Sequence, residues 1–441
     1  MTGSPWAGRR LHLIGIGGAG MSGYALAAAA LGAQVSGSDR AQSPLLDELR
    51  AAGIDARAGH DAANLPDDPA LEVVRSSAIP DDNPEVVAAR ERGLRVLPRA
   101  DLLGELSTLR RTIAVAGAHG KTTTSSMVAH ILLACGIAPG YLIGGRLRTT
   151  GRGADWGTGE WLVVEADESD RSMLALDVDI AVVTNIELDH HATYGSLAEL
   201  REVFRAFLDG PRHAVLWDRP DLLELRTGDL VRYDDGGAVL TDGAIDLTWR
   251  GHAVHLAVPG LHNARNAVAA LEAARLAGVD EAAAAAALAT FAGAGRRFER
   301  LGTTPAGALV VDDYAHHPTE VAATIAAART LGAGRVVAVF QPHLYSRTQH
   351  LAGAFGRALA AADLACVLEV YPARELAQDF PGVGGRLIAE AIADAAPGRE
   401  VLWLPGFDDA ECVLVDRLRA GDVCLVLGAG DVRDLGERLV A

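Results

Sequence analysis

Short apolar runs that break into glycine-rich or acidic turns recur along this chain, and stretches with helical spacing separate them. Leu11–Ile16 is the first run. It leads through Gly15-Ile16-Gly17-Gly18-Ala19-Gly20 into a helical pattern that extends to Ala33, and Val35–Asp39 closes the next strand. Val73–Ile79, Ile113–Ala116, Trp161–Val164, Ile180–Thr184, Ala308–Val311, Val336–Phe340, Leu364–Leu368 and Val423–Leu427 repeat the theme. Runs apolar at nearly every position suit strands buried on both faces, as in parallel sheets flanked by helices. Arg212–Val258 breaks the rhythm: it is strand-rich but irregular, and is expected to be an inserted β element without chemistry.

The polar residues concentrate where the apolar runs end, which is the edge at which open α/β sheets bind ligands. The N-terminal loop is GxGxxG in a strand–turn–helix setting, with Asp39 about twenty residues on, where such folds place a ribose-binding carboxylate. Thr112–Thr124 is the strongest signal: the apolar strand feeds Gly117-Ala118-His119-Gly120-Lys121-Thr122-Thr123, and helical spacing follows over Ser126–Leu133. Backbone N–H groups and a helix start there can cradle a phosphate, with the lysine on the outer phosphates and a threonine hydroxyl on Mg²⁺. Val115 stands where the full eight-residue P-loop pattern has its first glycine, so only the GxxGKT form is present. Lys121 is also the only lysine among 40 Lys and Arg residues. An ammonium and a guanidinium are not interchangeable at a phosphate, so that exception marks the site.

Two further strand ends carry Glu165-Ala166-Asp167-Glu168-Ser169-Asp170 and Asn185-Ile186-Glu187-Leu188-Asp189-His190-His191. Carboxylates and imidazoles beside a phosphate loop suit Mg²⁺. Asn266, in the helix after Pro259-Gly260-Leu261-His262-Asn263, offers an amide edge for adenine, while Asn263 is equally explained as a helix cap. In the last third the strand ends read Asp312-Asp313-Tyr314-Ala315-His316-His317, Gln341-Pro342-His343-Leu344-Tyr345-Ser346-Arg347 and Gly428-Ala429-Gly430-Asp431. The pattern predicts an α/β chain of three doubly wound Rossmann-like domains, 1–108, 109–299 and 300–441, the central one with a P-loop-type ATP site. Glycine-rich joins near Gly104 and at Gly293–Gly295 are candidate hinges.

Composition narrows the partners. A net charge of −17 over 441 residues argues against nonspecific nucleic-acid or acidic-membrane binding, though local Arg, Lys and helix ends can still hold a phosphorylated ligand. Cys135, Cys366, Cys412 and Cys424 form no CxxC pair and read as free thiols of a reducing cytoplasm. Leu11–Ile16 is too short for a signal peptide, and no apolar run reaches membrane length.

In order, the segments LHLIGIGGAGMSG, SGSD, SSAIPDDNPE, GAHGKTTT, VEADESDRS, TNIELDHH, PGLHNARN, GRRFE, DDYAHHPTE, FQPHLYSR, YPARE and LGAGDV span the chain. This succession resembles the Mur ligases of peptidoglycan synthesis. The resemblance implies domains that bind UDP-sugar, ATP and amino acid in turn, and an ADP-forming amide ligation through an acyl phosphate. It implies UDP-N-acetylmuramic acid and L-alanine as substrates. Gly15, Gly17, Gly18, Ala19, Gly20, Asp39 and Ser77 would meet the UDP-sugar. Gly117, His119, Gly120, Lys121, Thr122, Thr123, Asn263, Asn266, Arg297 and Asp313 would form the ATP site. Thr122 and Glu165 would hold one Mg²⁺ and His190 a second. His316 would lie near the reacting phosphate, and Arg347, with His343, would meet the amino acid's carboxylate. Ala118 stands where most relatives have threonine, and Leu344 where many have arginine. With Lys121 committed to phosphate, no other lysine can serve as a carbamoylated metal ligand. The expected enzyme is cytoplasmic, a monomer or homodimer. Alternatives are a recycling ligase that adds a tripeptide to the same UDP-sugar, an NAD-dependent dehydrogenase suggested by GxGxxG and Asp39, and a non-catalytic nucleotide-binding scaffold.

Overall fold

The computed structural model describes residues 4–189, 193–332 and 334–441. The chain falls into two compact units: residues up to Glu187 with Leu197–Tyr233 and Ala269–Ala287, and Leu188–Ser196 with Asp234–Val268 and Leu288–Ala441.

The first unit holds two sheets. Asp55–Ala58, Gln34–Asp39, Arg10–Ile14, Leu71–Arg75 and Arg95–Pro98 lie side by side in that order, all parallel. Arg10–Ile14 is therefore flanked by strands on both sides, and the glycine loop leaves its C-terminal end where the order reverses. The second sheet runs Leu230–Tyr233, His213–Trp217, Ile180–Val183, Arg111–Ala116, Trp161–Glu165, Gly140–Leu147 and Arg152–Asp155. The phosphate-loop strand Arg111–Ala116 sits at its centre, between the two strands that end in the acidic clusters.

The expectation of a separate β insert over Arg212–Val258 is only partly right. His213–Trp217 and Leu230–Tyr233 extend the central parallel sheet, and only Val239–Thr241, Ala244–Trp249 and His252–Leu256 form an antiparallel meander. Ala214, Val215 and Leu216 are fully buried, the mark of a strand covered on both faces.

Helix Ala19–Ala30 shows why small residues follow the glycine loop. A Cβ on Gly23 would come within 3.1 Å of Ala154 and 3.4 Å of Leu142, so the helix lies directly on the edge of the second sheet. Leu11, Leu13, Met21, Tyr24, Leu102 and Leu106 share one apolar cluster with Leu142, Leu162 and Val164. Each such buried side chain contributes ~1.5–3 kcal/mol, so the two sheets hold each other in place. Gly104 is not a loose join: it lies within helix Arg99–Thr108, where a Cβ would stand 2.7 Å from the Ala175 carbonyl oxygen. It permits close packing.

In the second unit Leu309–Asp313, Val423–Leu427, Val336–Phe340, Leu364–Val367 and Val401–Trp403 run parallel in that order, with Glu299–Thr303 antiparallel at the edge. Cys366 and Cys424 are buried on these strands, where burial alone raises the Cys366 thiol to about 12 and keeps it inert. Among the described residues no helix is long and apolar enough to cross a membrane.

Candidate active site

The phosphate loop turns on two glycines. Gly117 has φ +138° and a Cβ there would meet Thr184 Oγ1 at 2.1 Å, while Gly120 caps the following helix with φ +81°. The helix starts at Lys121, five residues earlier than its periodicity suggests, so Lys121 and Thr122 form its first turn. The loop is braced from the neighbouring strand end. Asn185 accepts from the His119 N–H (3.0 Å) and donates to its carbonyl (2.9 Å), and the Thr184 hydroxyl donates to the same carbonyl (2.6 Å). Asn185 and Thr184 were not among the expected site residues. A short polar pair immediately after an apolar strand was the available signal.

Lys121 Nζ donates to the Gly117 carbonyl (2.6 Å) and to both oxygens of buried Glu168 (2.9 and 3.1 Å). Burial alone would lower the lysine pKa; Glu168, Asp167 and Glu165 more than reverse this, so the ammonium stays charged. The Glu168 carboxyl is raised, chiefly by its own burial. A net negative cluster pushes both partners the same way. Thr122 Oγ1 donates to Glu165 Oε1 (3.0 Å), and the Gly144 N–H holds Glu165 Oε2 (2.8 Å). A hydroxyl and an anchored carboxylate at this spacing are a donor set that a hard divalent cation accepts. Thr123, the next residue of the helix, is buried, and His119 Nε2 lies 3.3 Å from Glu187. His190, the expected ligand of a second Mg²⁺, and its neighbour His191 lie outside the described residues.

At the N-terminal loop Gly15 has φ +82°, and a Cβ there would meet Ser76 at 3.0 Å. Asp39 accepts from the Gly17 N–H (2.9 Å) and the Arg40 N–H (2.7 Å), so its carboxylate shapes the turn. Gly18 precedes the helix that Ala19 opens, Gly20 lies in its first turn, and Ser77 is exposed in the turn after Leu71–Arg75.

The second unit gathers another group of expected residues. Arg347 is buried in the first turn of helix Tyr345–Leu359, where its Nε and Nη2 donate to the two oxygens of Asp189 (3.0 and 3.1 Å). Its Nη1 donates to His343 Nδ1 (3.1 Å), which places the His343 proton on Nε2. His343 stacks on Tyr371, and its ring centre lies 6.1 Å from that of His316. Burial, with Arg347 nearby, lowers His316 to about 4 and His343 to about 3, so both imidazoles are neutral. His317 instead caps helix Pro318–Arg329, with Nδ1 accepting from the Thr319 N–H (3.4 Å), which separates the two histidines by role. Leu344 is buried at φ +70° with its N–H on the Tyr371 carbonyl.

Asn263 and Asn266 share a helical face. Asn266 donates to Asn263 (3.2 Å), which donates to the Pro259 carbonyl (2.7 Å), so Asn263 lies inside the helix and is not its cap. Asp313 accepts from the Phe298 and Ala315 N–H groups (2.8 Å each), and burial raises it to about 6 against the pull of Arg297. Arg297 reaches Glu320 and lies over Tyr314.

Comparison with known proteins places this geometry in a family. Residues 10–111 match the catalytic domain of the Mur ligase family, 115–274 the Mur ligase middle domain, and 296–430 the Mur ligase glutamate ligase domain. UDP-N-acetylmuramate–L-alanine ligase of Thermobifida fusca is 46% identical over 98% of this chain and 96% of its own length. The enzyme of the same name from Rubrobacter xylanophilus is 45% identical, covering 98% and 99%. Among solved structures, UDP-N-acetylmuramate-alanine ligase from Thermotoga maritima superimposes with a TM-score of 0.83 at 29% identity, covering 98% of each chain. A murein peptide ligase from Psychrobacter arcticus gives 0.72 at 26%, again covering 98% of each. The chain belongs to the Mur ligase family.

Proposed function

We propose that this chain is an ATP-dependent ligase that joins L-alanine to the lactyl carboxylate of UDP-N-acetylmuramic acid, releasing ADP and phosphate, in cytoplasmic peptidoglycan synthesis. The observation that carries the reading is the single lysine, held charged in a glycine loop, one residue before a threonine hydrogen-bonded to an anchored glutamate. Residues 1–108 would take the UDP-sugar, 109–299 the ATP and 300–441 the amino acid. The names of the relatives support this choice of substrates.

A carboxylate is a poor acyl donor because oxide is a poor leaving group. In the proposed first step a lactyl oxygen attacks the γ-phosphorus, the bond to the β–γ bridging oxygen breaks, and ADP departs. Positioning and charge neutralisation carry such a transfer. Lys121 would leave Glu168 in part to meet the β- and γ-phosphates, and the loop N–H groups would hold the rest. Bound Mg²⁺, held by Thr122 and Glu165 and at a second site by His190, would neutralise charge on the phosphates. Alanine's amine then attacks the acyl carbon, phosphate leaves, and the amine gives up a proton. Arg347 already holds one carboxylate, Asp189, in the bidentate geometry that an amino acid's carboxylate requires. Neutral His343 and His316 add hydrogen-bonding capacity there without fixed charge. Asn263, Asn266, Arg297 and Asp313 would lie on the nucleoside side.

The test is ADP release by the purified protein with Mg-ATP and UDP-N-acetylmuramic acid, offering L-alanine, glycine, L-serine or the tripeptide L-Ala-γ-D-Glu-diaminopimelate separately. Release strongest with L-alanine is expected. Release only with the tripeptide would transfer the chain to the recycling reaction, and none with any acceptor would refute ligation.

A further inference from the structure

Within the first unit, Arg99 joins the two sheets at a point that the phosphate-loop chemistry leaves unexplained. It opens helix Arg99–Thr108 directly after the last strand of the N-terminal sheet. Its Nε donates to Asp170 (2.5 Å), and its Nη2 to Asp167 (2.8 Å) and Ser172 Oγ (3.4 Å). Both carboxylates belong to the loop after Trp161–Glu165, the loop that delivers Glu168 to Lys121. Arg99 Nη1 points the other way. It donates no hydrogen bond among the described residues, and lies 3.3 Å from where a Cβ on Gly20 would stand, with the Tyr24 hydroxyl 3.7 Å from the same point. Gly20 is the last glycine of the N-terminal loop.

The electrostatics require such a group. Glu165, Asp167, Glu168 and Asp170 crowd four carboxylates into six residues, and Lys121 pairs directly with only one of them. Arg99 pairs with two of the remaining carboxylates, Asp167 (2.8 Å) and Asp170 (2.5 Å). Without Arg99 the loop would spread under its own repulsion, and Glu168 and Glu165 would lose their aim at Lys121 and Thr122. A planar guanidinium can grip two carboxylates along one edge and present a donor to a second ligand, which an ammonium cannot.

We propose that Arg99 is a positioning residue that couples sugar-nucleotide binding to phosphoryl transfer. A diphosphate on the glycine loop engages Nη1, and the same guanidinium then fixes the acidic loop that sets Lys121 and Glu165. The inference rests on the ligase reading and adds to it the dependence of one half of the site on the other.

The test uses the full chain with Arg99→Gln, Arg99→Lys and Asp170→Asn, measuring ADP release while each substrate is varied in turn. Removing a charge-assisted contact predicts that Arg99→Gln loses on the order of 10–100-fold in kcat and raises KM for the UDP-sugar by a similar factor, with KM for L-alanine unchanged. Arg99→Lys is expected to keep the wild-type melting temperature and recover little of the kcat. If Arg99→Gln does not fold, Asp170→Asn is expected to give a smaller shift of the same kind. Kinetic constants unchanged in both Arg99→Gln and Asp170→Asn would overturn the coupling. So would a uniform loss that tracks melting temperature and that Arg99→Lys restores. A wild type that releases no ADP would overturn the ligase reading itself, and is thereby told apart from an active wild type indifferent to Arg99.

Discussion

At the scale of single residues the account turns on Lys121. Its ammonium donates to the Gly117 carbonyl and to Glu168, and a planar guanidinium cannot place its donors as the compact ammonium does. Lys121→Arg is expected to lower kcat by ~100-fold or more with KM for UDP-N-acetylmuramic acid unchanged, because only phosphate contacts are lost. Steady-state ADP release measures both. Glu165 is a second residue with a separable readout. Glu165→Gln keeps the hydrogen bond from Thr122 and removes the charge, so the Mg²⁺ concentration for half-maximal activity should rise by ~10-fold. A magnesium titration identical to wild type would remove Glu165 from the metal site.

At the scale of elements, the strand-to-turn geometry does the positioning. Gly117→Ala would drive a methyl group into the Thr184 hydroxyl and the Asn185 backbone at a φ that L-residues rarely adopt. Loss of nucleotide binding, read by calorimetry with Mg-ADP, is the expected result, with the rest of the fold retained. Much of this level was legible in advance. Apolar runs located the central strands of the parallel sheets and glycine clusters located both loops, because burial on two faces and positive φ leave direct marks on composition. The outer strands Asp55–Ala58, Arg95–Pro98 and Val401–Trp403, and Gly140–Leu147 beside the central strands, carry no such run and were missed. The start of the helix at Lys121 was not legible: Thr122, Thr123, Thr124, Ser125 and Ser126 are poor helix formers, and tertiary burial overrides their preference. Arg99 was not legible either, because its partners lie about seventy positions away in the sequence and only the fold brings them together. The place of His213–Trp217 in the central sheet likewise depends on a neighbour, Ile180–Val183, that periodicity alone cannot assign.

At the scale of the whole molecule, stability and function draw on different buried charges. Glu85 is fully buried and receives His12 (2.9 Å), Ser38 (2.7 Å) and Asn64 (2.9 Å), none of them a residue assigned to the reaction. Burial alone would raise its carboxyl, but these hydrogen bonds outweigh it and bring the value from 4.5 down to about 2. A depressed folded value means the contribution is present above pH 4.5 and is lost as pH falls towards 2. The difference corresponds to roughly 3 kcal/mol. Glu85→Gln should therefore be less stable than wild type to urea at pH 7, and the gap should close below pH 3, with kcat untouched in whatever fraction stays folded. A gap independent of pH would contradict the charge argument.

The central claim is that the site activates a carboxylate by phosphorylating it. It is tested most directly by supplying UDP-N-acetylmuramic acid with both lactyl carboxylate oxygens labelled as ¹⁸O, together with Mg-ATP and L-alanine, and weighing the products. One labelled oxygen should appear in the inorganic phosphate and the other should remain in the new amide. Phosphate released without label, alongside amide formation, would show that the carboxylate never attacked phosphorus and would contradict the account.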